Sequence, residues 1–152
     1  MNARIHLATS TLGEDAMHSN HLTPVRAAWA LSLLFLAPGV LGFLPNPLVG
    51  ATGMFETNAP HNLVHLATAV GFAVVARLGD RWSLNFMRAF AVVYLLVAVL
   101  GFVTLGGMDR GLLLGLIHIN SLDNYLHAGL ALAILGTSVV AKVPYAPVAT
   151  AS

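Results

Sequence analysis

The chain has 152 residues, of which 57% are hydrophobic and 9% charged, with a formal charge of +1 and no cysteine. A soluble domain carries about a quarter charged residues, so an ordinary water-facing surface is excluded, and the lack of thiols excludes disulfides, a cysteine nucleophile and iron–sulfur ligation. So small a net charge, with no basic stripe, argues against nucleic acid as a partner.

Residues 1–22 are polar, include Glu14, Asp15, His6, His18 and His21, and show no hydrophobic period, which predicts a disordered cytoplasmic tail. Four apolar runs follow, at about 25–44, 61–78, 84–105 and 123–143. Each approaches the roughly 20 helical residues that cross a hydrocarbon core of about 30 Å. Thr23-Pro24 supplies an N-cap and a first-turn proline for the first run. The tail before it is long and acidic for a signal peptide and no A-x-A site follows, so the run reads as a retained span. Pro38-Gly39 inside it predicts a kink.

A connection rich in Pro, Gly and Asn, Pro45 to Pro60, leads to the second run, which ends in Arg77, Asp80 and Arg81. After the third run, Gly106 to Leu122 form a longer apolar connection. Its Gly107, Gly111 and Gly115 recur every four residues; the segment reads as re-entrant or interfacial, with a helix-packing face as the alternative. Pro144 and Pro147 stop the fourth run and leave 144–152 as a second cytoplasmic tail. The predicted fold is therefore all-α: one integral membrane four-helix bundle over 23–143.

With alternating spans, Arg4, Arg26, Arg77, Arg81, Arg88 and Lys142 fall on one side and only Arg110 on the other. Positive charge beside spans favours the cytoplasm. Both termini are expected inside, in the cell (inner or plasma) membrane, with the first and third connections outside.

The two halves resemble each other. Val40-Leu41-Gly42-Phe43 recurs as Val99-Leu100-Gly101-Phe102, and GMFETNAPHNLVHLA from Gly53 aligns with GLIHINSLDNYLHAG from Gly115. The alignment matches Asn58 to Asn120, His61 to Asp123, Asn62 to Asn124 and His65 to His127. Two repeated helical hairpins are predicted, related by a pseudo-twofold along the membrane normal. Residues four apart project from one helix face, so the twofold would gather His61, His65, Asp123 and His127 at the outer ends of the spans. Glu56, His118 and the asparagines Asn58, Asn62, Asn120 and Asn124 would surround them. Ionisable groups at such a depth are costly unless paired or hydrated, and so mark a candidate site.

The HNLVHL at His61 to Leu66, the DNYLHAGLA at Asp123 to Ala131 and the GxLGxIxxN pattern from Gly111 to Asn120, with the LGF segments before them, resemble the small bacterial four-helix membrane proteins of the domain of unknown function 4383 family. The resemblance covers about Val25 to Lys142. It implies the four-span fold and an outward-facing polar motif, and no established activity. His118 stands where such proteins often have a non-ligand residue, a departure that counts against an essential ligand there.

Three roles suit the cluster. In the first, Asn58 and Asn120 or Ser121 cap the second and fourth helices and the other polar groups serve as interhelical glue, in a structural or interaction protein. In the second, His61, His65, Asp123 and His127 hold a divalent metal, or histidines ligate haem, with Glu56 and His118 behind them. In the third, the imidazoles and the carboxylate serve a proton-linked or small-ligand role. No catalysis is expected, because Ser32, Thr104 and Ser138 lie alone in apolar runs without a base, and no phosphate loop or dinucleotide fingerprint occurs. Trp29, Trp82 and Tyr94 read as lipid-facing anchors or packing residues. The bilayer is the expected partner, and self-association into a homo-oligomer is compatible with this reading.

Overall fold

A computed structural model describes residues 22–143 of the chain; the two expected tails, the first to within one residue, lie outside the described residues. Four helices dominate: α1 (Pro24–Leu41), α2 (Ala59–Leu78), α3 (Asp80–Leu105) and α4 (Ser121–Val140). Between α1 and α2 lie two short strands, β1 (Val49–Gly50) and β2 (Phe55–Glu56), and between α3 and α4 lie β3 (Arg110–Leu113) and β4 (Ile117–Asn120). By length and composition α1, α2 and α3 are apolar enough to cross a membrane. The first two turns of α4 carry Asp123, Asn124 and His127, which lower its hydropathy.

The helices begin and end where local chemistry directs. The Thr23 hydroxyl accepts a hydrogen bond from Arg26 N–H at 3.3 Å, with Pro24 at the first helical position. Asn58 and Asn120 cap α2 and α4, each accepting through Oδ1 from the backbone N–H three residues on, at 3.1 and 2.9 Å. The first helix stops at Leu41, three residues short of the apolar run, because the Asn46 amide donates to the carbonyls of Leu41 and Leu44 at 2.8 and 2.9 Å and turns the chain. The third begins at Asp80, earlier than its apolar run: Gly79, at φ +107°, breaks α2 from α3 without a loop. Asp80 Oδ1 also accepts from Val25 N–H at 3.0 Å, so the turn between α2 and α3 caps α1.

Packing is closest between α1 and α2 and between α3 and α4. Buried residues on α3 are Met87, Ala91, Tyr94, Ala98, Gly101 and Leu105, one stripe at three- and four-residue steps. Phe35 lies at the centre, stacked on Phe72 at 5.8 Å between centroids and meeting Phe90 and Tyr94 edge-on. Ala27, Ala28, Ala69, Ala76 and Ala131 line the remaining seams, where small residues let backbones approach. The outward faces are apolar too: Val92, Leu96, Val99 and Val103 of α3 are all at least half exposed. A surface of that kind suits lipid and not water.

The third connection is a β-hairpin. Arg110 pairs with Asn120 and Leu113 with Ile117 in antiparallel register, and the chain reverses through Leu114 and Gly115 at φ +53° and +72°. Leu113 and Ile119 pack on Leu105. This corrects the helix-packing alternative for Gly107, Gly111 and Gly115: Gly107 and Gly115 have positive φ, which a helix does not use, and Gly111 sits in a strand. The four-residue spacing coincides with turn and strand positions.

Candidate polar and metal site

All of the polar motif lies at one end of the bundle, where α1 and α3 finish and α2 and α4 begin. The asparagine caps reach beyond their own helices. Asn58 Nδ2 donates to the Leu116 carbonyl and Asn120 Nδ2 donates to the Met54 carbonyl, both at 2.8 Å. Since Met54 and Leu116 occupy matching places in the aligned segments, each connection is held by the helix cap of the other half.

Asn62 and Asn124, one turn further on, are fully buried. A Cβ on Gly42 would overlap the Asn62 carboxamide, and one on Gly101 that of Asn124. The glycine of each VLGF segment thus leaves the space that an asparagine side chain fills. Asn62 Oδ1 and both amide atoms of Asn124 have no hydrogen-bond partner among the described residues.

The histidines converge. His61 and His65 from α2 and His127 from α4 are all buried, and one ligand atom of each lies within 4.8 Å of the others. The rings of His61 and His65 stack with centroids 4.8 Å apart, and His127 meets His61 at 5.8 Å. His61 Nδ1 is 2.7 Å from the His118 carbonyl. The carbonyl can only accept, so Nδ1 carries the proton there, the kind of contact that orients metal-ligating imidazoles. His65 Nδ1 and His127 Nδ1 have no hydrogen-bond partner among the described residues. Each lies against an aromatic ring, His65 on Phe35 at 6.1 Å and His127 on Tyr94 at 5.1 Å.

Asp123 stands apart from this trio. Its Oδ2 accepts from Asn120 N–H at 2.8 Å while Asn120 Oδ1 accepts from Asp123 N–H, a capping box with aspartate in place of the usual glutamate. Glu56 lies beneath β4, 3.6 Å from Arg110 Nε and 3.5 Å from His118 Nδ1. His118 therefore bears on the site through its main chain, by way of His61, and its ring turns to Glu56.

A pocket of about 240 Å³ opens beside the histidines. Its polar lining is Thr57, His65, Asp123 and His127, and its apolar walls come from α1, α4 and, through Val49 and Phe55, β1 and β2. Thr57, whose buried hydroxyl has no hydrogen-bond partner among the described residues, was not singled out in the sequence; only its alignment with the buried Ile119 marked the position as inward-facing. Tyr94 proves to be buried packing against His127, whereas Trp82 is exposed at the opposite end.

A family model described as Domain of unknown function (DUF4383) matches residues 26–140. The chain belongs to that family. No curated protein and no solved structure matches it. In this DUF4383 chain the match runs from the first turn of α1 to the last residue of α4, so every residue of the polar end lies within it.

Proposed function

We propose that this is a four-span membrane protein of two repeated hairpins, with both termini cytoplasmic, that binds a divalent transition metal through His61, His65 and His127. The observation that carries the metal reading is three buried imidazoles, from two helices, with ligand atoms within 4.8 Å of one another. A tetrahedral ion with bonds of about 2.0–2.1 Å sets its ligand nitrogens about 3.4 Å apart, so each ring closes the site with a shift of under about 1 Å. Nitrogen donors without thiolate suit zinc or copper(II). The face-to-face contact of His61 and His65 leaves no slot for a porphyrin between them, which favours a bare ion over haem.

The reciprocal bonds of Asn58 and Asn120, and the matching Gly42–Asn62 and Gly101–Asn124 contacts, support the hairpin repeat. The fourth span is supported by the 20 residues of α4 and by its apolar, exposed Leu132, Leu135, Val139 and Val140. Arginines at the α2–α3 turn support the orientation. The role is binding rather than catalysis, and the metal is held as a structural or regulatory ion.

A second reading, a scaffold or interaction protein whose polar end is purely structural, is favoured by Asn58, Asn120 and Asp123, all of which are engaged as caps. The two readings divide the motif: the asparagines and Asp123 build the end of the bundle, and the histidines remain for a ligand. Full-length protein purified in detergent, dialysed against zinc or copper(II) and assayed by mass spectrometry and for a Soret band, tests this. About one ion per chain is expected, falling to near zero in H61A/H65A/H127A. Equal metal in the two proteins would refute the site.

A further inference from the structure

The pocket beside the histidines lies between α1 and α4, which, like α2 and α4, make little direct packing contact with each other. The corresponding pair in the other half, α2 and α3, is drawn together by the tight turn at Gly79. The gap is thus a place where the two halves differ. Its α1 wall is Leu34, Ala37 and Leu41 and its α4 wall is Leu126 and Leu130. Leu34, Leu41 and Leu126 are 50%, 37% and 41% exposed, so the mouth is rimmed by side chains that face outward at the level of the spans. Pro38, also in the wall, has no N–H to give to the Leu34 carbonyl one turn back.

At its inner end the pocket meets His65, Asp123, His127 and Thr57. His65 and His127 are more than nine-tenths buried and each keeps a ring nitrogen with no hydrogen-bond partner among the described residues, as does the Thr57 hydroxyl. Buried polar atoms of this kind are costly unless something pairs with them. His65 and His127 both line the pocket, so their imidazoles can serve a guest in it.

From these features we infer that the pocket receives, laterally from the bilayer, the head of a neutral lipid-soluble molecule: an oxygen-bearing ring on an apolar tail, of the quinone or phenol class. The lining contains no Lys or Arg, so a phosphate or carboxylate head finds no cationic side chain of that kind there. A neutral ring carrying carbonyl or hydroxyl oxygens pairs with the free imidazole nitrogens and the threonine hydroxyl, against walls that are otherwise apolar. The volume of about 240 Å³ is below the roughly 300–1,000 Å³ of sites that enclose a drug-sized ligand. It holds a single ring and leaves the tail in lipid between α1 and α4. The inference rests on the bilayer reading above and not on the metal, although both use His65 and His127.

The test uses the full chain in phosphatidylcholine nanodiscs, with a decyl-substituted benzoquinone as probe and decane as the tail-only control, each measured by equilibrium binding after removal of free probe. Saturable binding of about one quinone per chain is expected, with decane failing to displace it. A37W, which fills the mouth, should weaken quinone binding at least tenfold while retaining zinc. H61A, outside the lining, should lose zinc while retaining quinone. L130F serves as the second pocket-filling variant if A37W does not fold. No saturable quinone binding by the wild type, displacement by decane, or undiminished binding in the folded pocket-filled variant would each overturn the inference. Saturable quinone binding by a wild type that holds no zinc would overturn only the metal.

Discussion

The backbone of Gly101 packs against the carboxamide of Asn124, so closely that a methyl group at position 101 would fall on the asparagine oxygen. Gly42 stands in the same relation to Asn62. Each pair ties the finish of one helix to the second turn of the next. That contact explains why VLGF and the HN and DN dipeptides recur together.

Gly42→Ala and Gly101→Ala should therefore be destabilising although alanine is the better helix former. Overpacking of this kind costs about 1–3 kcal/mol, against a helix gain of about 1 kcal/mol. Gly136, in α4, is the control, because a methyl group added there would meet open space. Thermal unfolding in detergent should show a lower midpoint for the first two and an equal or higher one for Gly136→Ala; three equal midpoints would remove the glycine–asparagine contact from the account.

Asn58 has two roles that substitution can separate. Serine keeps the cap and loses the amide that reaches Leu116, whereas alanine also loses the oxygen that accepts from His61 and His118 N–H. Asn58→Ser should cost about 1 kcal/mol, the net worth of one hydrogen bond, and Asn58→Ala about 1 kcal/mol more, the typical value of a cap. Asn120 should behave alike through Met54. If serine proves neutral at both positions, the exchange between halves contributes nothing measurable.

The metal site predicts its own pH dependence. Imidazole binds a metal only as the neutral base, so acid puts protons in competition with the ion, and zinc retention should be fullest at about pH 8 and fall as the pH is lowered to about 4. Competition with a zinc chelator across that interval measures it. A flat profile would mean that the ion sits on carboxylates or carbonyls instead.

The chain has no cysteine, so single cysteines report topology directly. Leu114→Cys, at the tip of the β-hairpin, should react with a membrane-impermeant maleimide in intact cells. Trp82→Cys, beside the α2–α3 turn and exposed, should react only after lysis. The reverse pattern would invert the orientation derived from the arginines.

Local chemistry legible in the sequence fixes the helices. Thr23-Pro24, Asn58 and Asn120 start three of them because an N-cap acts over three residues, and the apolar runs give their lengths. The four-residue spacing of His61 and His65 placed both on one face, as found. That His127 would join them depended on how α2 and α4 meet, a relation between residues more than sixty positions apart, whereas the capping box that engages Asp123 is local, an exchange with Asn120 three residues before it.

Sequence alone therefore determined the apolar segments, their caps and the polar motif, since each follows from interactions within a few residues or from the balance between lipid and water. Tertiary structure alone decided which polar groups spend themselves on one another. It folded Gly106 to Leu122 into a hairpin through Leu113 and Ile119 packing on Leu105. It turned Glu56 towards Arg110 and His118, and left the imidazoles of His65 and His127 facing a gap between α1 and α4. Those outcomes depend on distances across the bundle, and packing sets such distances where spacing along the chain cannot.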